Sequence, residues 1–190
     1  MWRKGTKALL VWSAATLVIF CGLPSAHGKR LRLLDTRNEY GGRTHEETYS
    51  AQDGEHREGI LRIVFHRDAK GLVKQTDTHF LHEHAQAHHI ILRRQFYSHA
   101  PQRKPVLTRV EFYYTPRFSD SQGIHRCERH YDEEGKESRA DFHFTSEWEK
   151  RKNYAKLEVY YDDKGEITKQ VYVDSMGRII ASEDRDGNPL

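Results

Sequence analysis

The sequence predicts an all-β protein: an antiparallel β-meander of repeated hairpins, forming a single mature domain with at most one or two short helices. Three observations lead there. Apolar and polar residues alternate with a period of two through several runs, as a strand with one buried face requires. Five Asp-x-x-Gly tetrapeptides punctuate those runs. Ten Tyr and eight Phe supply much of the apolar surface, and aromatic side chains favour pleated, half-buried positions.

The N-terminus reads differently. Arg3, Lys4 and Lys7 precede an uncharged run from Ala8 to Leu23, followed by Pro24-Ser25-Ala26-His27-Gly28. A basic head, an apolar core and small residues at a cleavage point define a secretory signal peptide over residues 1–28. The alternative is an uncleaved membrane anchor, but the run is shorter than the ~20 residues that span a bilayer. Phe20 before Cys21 does not suit bacterial lipid attachment. The expected location is therefore periplasmic or secreted, with residues 29–190 as the mature domain.

Within that domain the strands follow in order. Leu61 to Phe65 alternates, and Leu81 to Phe96 combines helical spacing in its first half with a strand over its second. Val106 to Tyr114 sets Val106, Thr108, Val110, Phe112 and Tyr114 against Arg109 and Glu111. A longer hairpin through Ala100–Pro105 joins the runs around 88–99 and 106–115. Ala140 to Phe144, Ala155 to Tyr161 and Ile167 to Val173 alternate as well, and Ser146 to Asn153 reads as a short helix carrying Trp148. The turns start at Asp68, Asp132, Asp162, Asp174 and Asp184. Asp caps its own turn and Gly takes positive φ, and short turns force antiparallel neighbours. The hairpins are clearest over 124–190.

Charge excludes some functions. The whole chain carries 31 Lys+Arg against 28 Asp+Glu, a formal +3. All three excess charges lie in the leader, so the mature domain is balanced, which argues against nucleic-acid binding. With Cys21 in the leader, Cys127 has no disulfide partner in the mature chain. No P-loop, dinucleotide fingerprint or Gly-x-Ser-x-Gly occurs, and Asp184-x-Asp186-Gly187 ends too soon for an EF-hand.

Tyr160-Tyr-Asp-Asp-Lys-Gly165 and Val171-Tyr-Val-Asp-Ser-Met-Gly177 resemble the YD/RHS repeats of bacterial surface proteins, and equally the MORN-variant repeats of YwqK-like proteins. His130-Tyr-Asp-Glu-Glu-Gly135 is a looser match. The resemblance covers about 60 residues and implies a repeat-derived sheet in an exported bacterial protein, with no catalytic residues to transfer. Spacings of 64, 30, 12 and 10 residues between the turn glycines depart from a regular array.

Two segments carry candidate chemistry. His79, His82, His84, His88 and His89 fall within eleven positions. His82, His84, His88 and His89 are candidate ligands for Zn, Cu or Ni, since neutral imidazoles one turn apart or two strand positions apart share a side. From His84 to Val110 there is no acid, and Arg93, Arg94, Arg103, Lys104 and Arg109 make a candidate anion- or partner-facing segment. The competing reading is that neighbouring strands complement these charges. Cys127 between His125 and His130 is expected to be a buried bystander rather than a nucleophile. The function expected is an exported envelope protein acting as a non-catalytic interaction module for another envelope or secreted protein, with peripheral membrane contact as a further option. The alternatives are a periplasmic metal-binding protein centred on 79–89 and an envelope hydrolase.

Overall fold

The computed structural model describes residues 30–50, 53–99 and 104–190. The expected signal peptide over residues 1–28 and Arg103 lie outside them. The described residues form eleven strands in one antiparallel sheet whose spatial order is the sequence order. They are β1 (Arg30–Asp35), β2 (Gly41–Thr48), β3 (Ile60–Asp68), β4 (Val73–Phe80), β5 (Ile90–Ser98), β6 (Val106–Tyr114), β7 (Ile124–Tyr131), β8 (Glu137–Phe144), β9 (Lys156–Tyr161), β10 (Ile167–Val173) and β11 (Ile179–Asp184). Four short helices, α1 (Gly54–Arg57), α2 (His82–His88), α3 (Pro116–Gln122) and α4 (Ser146–Lys152), fill the connections at one end of the sheet. The expected meander is present, with more helices than the one or two expected.

The ends of the sheet differ for local reasons. At the Asp-x-x-Gly end, each Asp side chain accepts hydrogen bonds from the N–H groups two and four residues on, as Asp132 does from Glu134 and Lys136 at 2.9 Å. The fourth-position glycine then closes the turn in the left-handed region, with Gly135 at φ 82°. At the other end Thr115 and Thr145 cap α3 and α4, accepting from the N–H of Phe118 and Trp148, and Pro116 occupies the first helical turn. These are the residue types that start short helices.

The helical end also reveals a period that the turn glycines conceal. Gly59, His89, Gly123 and Asn153 all end their helical turns with positive φ, and they are 30, 34 and 30 residues apart. Each of the first three offers its carbonyl to the start of the next connection: Gly59 to the N–H of Leu81, His89 to Thr115, Gly123 to Thr145, at 2.7–2.8 Å. The apparent 64-residue gap between Gly71 and Gly135 is thus two hairpin units. The unit between them replaces its Asp-x-x-Gly turn with the longer β5–β6 loop.

Aromatic rings lock these units. Phe80 stacks on His84, Tyr114 on Phe118 and Phe144 on Trp148, each four residues apart. The second ring of each pair sits over the positive-φ residue of the preceding unit. A Cβ on Gly59 would lie 2.1 Å from the His84 ring, and one on Gly123 would lie 2.3 Å from Trp148. At the middle unit His89 stacks on Phe118 at 5.2 Å instead.

The pairing register sorts side chains onto two faces. One cross-strand row reads Glu46, Val64, Asp77, Arg94, Glu111, Glu128, Asp141, Glu158, Val171 and Ser182. The rows flanking it on the same face include Arg62, Tyr113, Arg126, His143 and Lys156 on one side, and His66, Arg109, His130, Arg139 and Tyr160 on the other. This is the charged face. The opposite, apolar face carries Ile63, Phe112, Cys127, Phe142, Leu157 and Tyr172 in one row and Val110, Ala140 and Val159 in the next.

Strict alternation is interrupted by bulges. On β6, Leu107 and Arg109 face the consecutive residues Tyr97 and Phe96, so Thr108 is the extra residue; its hydroxyl donates to the Phe96 carbonyl. Val171 and Val173 oppose Glu158 and Lys156, so the valine stripe of β10 belongs to the charged face.

Candidate functional site

Two adjacent strands concentrate the ionisable groups. β7 presents Arg126, Glu128 and His130, and β8 presents Arg139, Asp141 and His143 on the same face. Each strand therefore carries Arg-x-acid-x-His. Because the strands run antiparallel, Arg126 opposes His143, Glu128 opposes Asp141 and His130 opposes Arg139, giving a local twofold pattern.

Each carboxylate is held from both sides. Glu128 Oε1 lies 2.8 Å from His143 Nε2 and 2.7 Å from an Arg126 guanidinium nitrogen. Asp141 lies 2.9 Å from Arg139 Nε and 3.3 Å from His130 Nε2. The His143 contact, with Arg126 behind it, pulls the Glu128 carboxyl down to about 2, against burial that acts to raise it. The same logic operates at β4, where burial would raise Asp77 but His66, Arg94 and Gln75 hold it well below the usual carboxylate range. Arg94 grips Asp77 with two N–H groups at 2.9 and 3.0 Å, the planar fork geometry that favours arginine over lysine.

Tyrosines extend the network along each strand. The hydroxyls of Tyr113 and Tyr160 donate to Glu111 and Glu158, two residues back, at 2.8 and 2.7 Å. Arginine guanidinium groups lie over the aromatic rings of this face, closest at Arg109 over Phe96, 3.9 Å from the centroid.

A metal is the first chemistry to test against such a cluster. Glu128, His130 and Asp141 bring one ligand-capable atom each within 4.8 Å of one another, a donor set suited to Zn²⁺. The guanidinium groups of Arg126 and Arg139 already neutralise both carboxylates. A cation entering here would have to displace them, so the group fits an ion-pair network better than a metal centre. The repeated Arg-x-acid-x-His pattern was the sequence signal for this cluster.

The histidines singled out in the sequence lie elsewhere, on and beside α2. His84 and His88 touch on α2, with ring centroids 4.2 Å apart, and His82 is exposed on the same helix. His84 packs on Phe80 and over Gly59, while His89 ends the helix and stacks on Phe118. The four are therefore divided between two ring stacks and the helix surface.

The basic segment is divided too. Arg94 and Arg109 lie on the charged face, paired with Asp77 and Glu111. Arg93 lies on the apolar face, with its guanidinium 5.8 Å from the Phe80 ring. Lys104 is exposed in the β5–β6 loop. Of this segment, the neighbouring strand β4 complements Arg94, while Arg109 pairs within its own strand.

Cys127 is 1 % exposed. Burial pushes its thiol up to about 12, the reverse of what a nucleophilic cysteine requires.

The apolar face is the other candidate surface. The row Ile63, Phe112, Phe142, Leu157 and Tyr172 is half-buried, and among the described residues no second sheet packs against it. The short helices reach its rim through the aromatic pairs. The sheet does not close on itself. β1 pairs with β2 alone and β11 with β10, apart from a Glu183–Pro189 bridge along the β11 edge. Leu31 and Leu33 extend the apolar face onto β1, 62 % and 46 % exposed. No helix among the described residues is long and apolar enough to cross a membrane.

No protein-family model matches the chain, and no curated protein matches it.

Proposed function

We propose that the chain is a non-catalytic interaction module of an exported bacterial protein, acting through the apolar face of its sheet on another envelope or secreted protein. One observation carries this reading: a cross-strand row of Phe112, Phe142, Leu157 and Tyr172 left half-open on a one-layer sheet. Contiguous apolar surface of this kind marks an interaction site in a water-soluble domain. Aromatic residues are the side chains that dominate binding energy at protein interfaces. The charged face is a poor competitor, because its acids and bases already satisfy each other.

The test is site-specific photo-crosslinking in cells that make the protein. A photoreactive benzophenone side chain is placed at Phe142 or Leu157 on the apolar face, or at Lys169 on the charged face. The reading expects one discrete crosslinked protein from the apolar positions and none from Lys169. Equal or absent crosslinking from both faces would overturn it.

A further inference from the structure

We propose that Arg93 anchors a carboxylate-binding site in the apolar face, built to receive an acidic side chain from a partner segment that is otherwise apolar. This rests on the interaction reading above and names the chemistry of its partner. Arg93 projects between Thr78 and Phe112 in the apolar row.

Its isolation is what distinguishes it. Among the described arginines that are not fully exposed, Arg62, Arg94, Arg109, Arg126, Arg129 and Arg139 each have a carboxylate partner. Arg67 donates to the Gly71 carbonyl. Arg93 has neither an ion pair nor a hydrogen bond among the described residues; its Nε is shielded from solvent without a partner, as are those of Arg62, Arg109, Arg126, Arg129 and Arg139. Its recorded ring contact is with Phe80. Tyr97 and, less strongly, the exposed Glu58 act on it through space without a hydrogen bond or ion pair to it. Residues 1–29, 51–52 and 100–103 contain no Asp or Glu, so the acid that acts on Arg93 is Glu58.

A half-buried guanidinium with no acid against it is unfavourable, and burial lowers the basicity of Arg93 accordingly. A carboxylate docked against it would form two parallel charge-assisted N–H···O bonds. Phe80 and Phe112 beside it would keep water out, the arrangement in which one charged contact counts most. A single cation among apolar neighbours suits one carboxylate. A polyanion would call for a row of cations, and Arg129 on this face is taken by Glu137 at 3.3 Å. The occupant is therefore an apolar peptide segment carrying one Asp or Glu.

The experiment pans a phage-displayed random dodecapeptide library against the full chain. Selected peptides are then measured beside twins in which the acid is replaced by its amide, on wild type and on Arg93→Met. Wild type should enrich apolar peptides with one acid and lose affinity about tenfold or more for the amide twin, since an unpaired buried charge is left behind. Arg93→Met should bind both twins alike, and Arg93→Lys should fall between because it lacks the fork. Equal binding of the twins by wild type, or discrimination that persists in Arg93→Met, overturns the Arg93 site while leaving the face intact. Failure to select peptides, or selected peptides indifferent to Phe142→Asp, overturns the interaction reading itself. The wild-type comparison of twins stands even if a variant folds poorly.

Discussion

Glu128 and Asp141 face each other directly across β7 and β8, two carboxylates on one side of a sheet, each held by an arginine and a histidine. Like charges placed opposite would destabilise the pair. The structure tolerates them because Arg126 and His143 close on one acid, and Arg139 and His130 on the other. The charged face is thus a set of interlocked ion pairs, with measurable consequences.

Acid should loosen the fold through Glu128. Its carboxyl is lowered in the folded chain from 4.5 to about 2, so the folded state keeps a charge that the unfolded chain surrenders. The resulting stabilisation, on the order of 2–3 kcal/mol, is fully present above pH ~4.5 and is lost as pH falls toward 2. Urea midpoints taken from pH 6 down to pH 2.5 should decline through this window. The decline should be shallower in Glu128→Gln; an unchanged slope in that variant would show that Glu128 is not the group responsible.

Breaking one half of a pair should cost more than removing both halves. Asp141 is 4 % exposed, so Asp141→Ala strands Arg139 and His130 and should destabilise by about 3 kcal/mol. Adding Arg139→Met should recover part of that loss. A double-mutant cycle by urea denaturation measures the coupling, and strictly additive losses would refute it.

Two glycines separate backbone strain from steric clash. Gly135 has φ 82° with open space where a Cβ would point, whereas Gly123 has φ 73° with Trp148 2.3 Å from that position. Gly135→Ala should cost about 1 kcal/mol, for the left-handed conformation alone. Gly123→Ala should cost at least about 2 kcal/mol more, since the Trp148 ring must leave its seat. Thermal midpoints rank the two variants directly.

Cys127 should be silent in the native protein. With its thiol raised to about 12 by burial, it should resist iodoacetamide at pH 8 and label rapidly in urea. Native-state alkylation at the rate of a free thiol would contradict its placement beneath the apolar face.

Metal addition distinguishes the acid–histidine cluster from a metal centre. Zinc titrated into wild type should bind weakly at Glu128, His130 and Asp141, since Arg126 and Arg139 must be displaced. Arg139→Gln should tighten that binding, measured by calorimetry; tight stoichiometric binding in wild type would overturn the ion-pair interpretation.

Much of the strand pattern was legible because period-two alternation and Asp-x-x-Gly corners are local instructions. β6, β8, β9 and β10 coincide with alternating runs, and Ser146–Lys152 forms the expected helix. β1, β2, β4, β7, β11, α1 and α3 were not read from the sequence; in β2, Gly41-Gly-Arg-Thr-His-Glu-Glu-Thr48 has almost no apolar content to alternate. Its place in the sheet comes from β3 beside it and from Arg62 meeting Glu46. Of the α2 histidines, the helix brings His84 and His88 together and turns His84 onto Phe80, while His89 lies apart on Phe118. The Glu128–His130–Asp141 group needed two strands aligned in register before it existed.

By itself, the amino-acid order determined the repeating currency of this protein: aspartate-led corners, alternating strands and threonine-capped helical turns, all set by interactions within a few residues. The tertiary structure alone decided which face each stripe would join. A single bulge shifts every side chain beyond it, and the partners that neutralise Glu128 while leaving Arg93 alone come from strands that only pairing brings together.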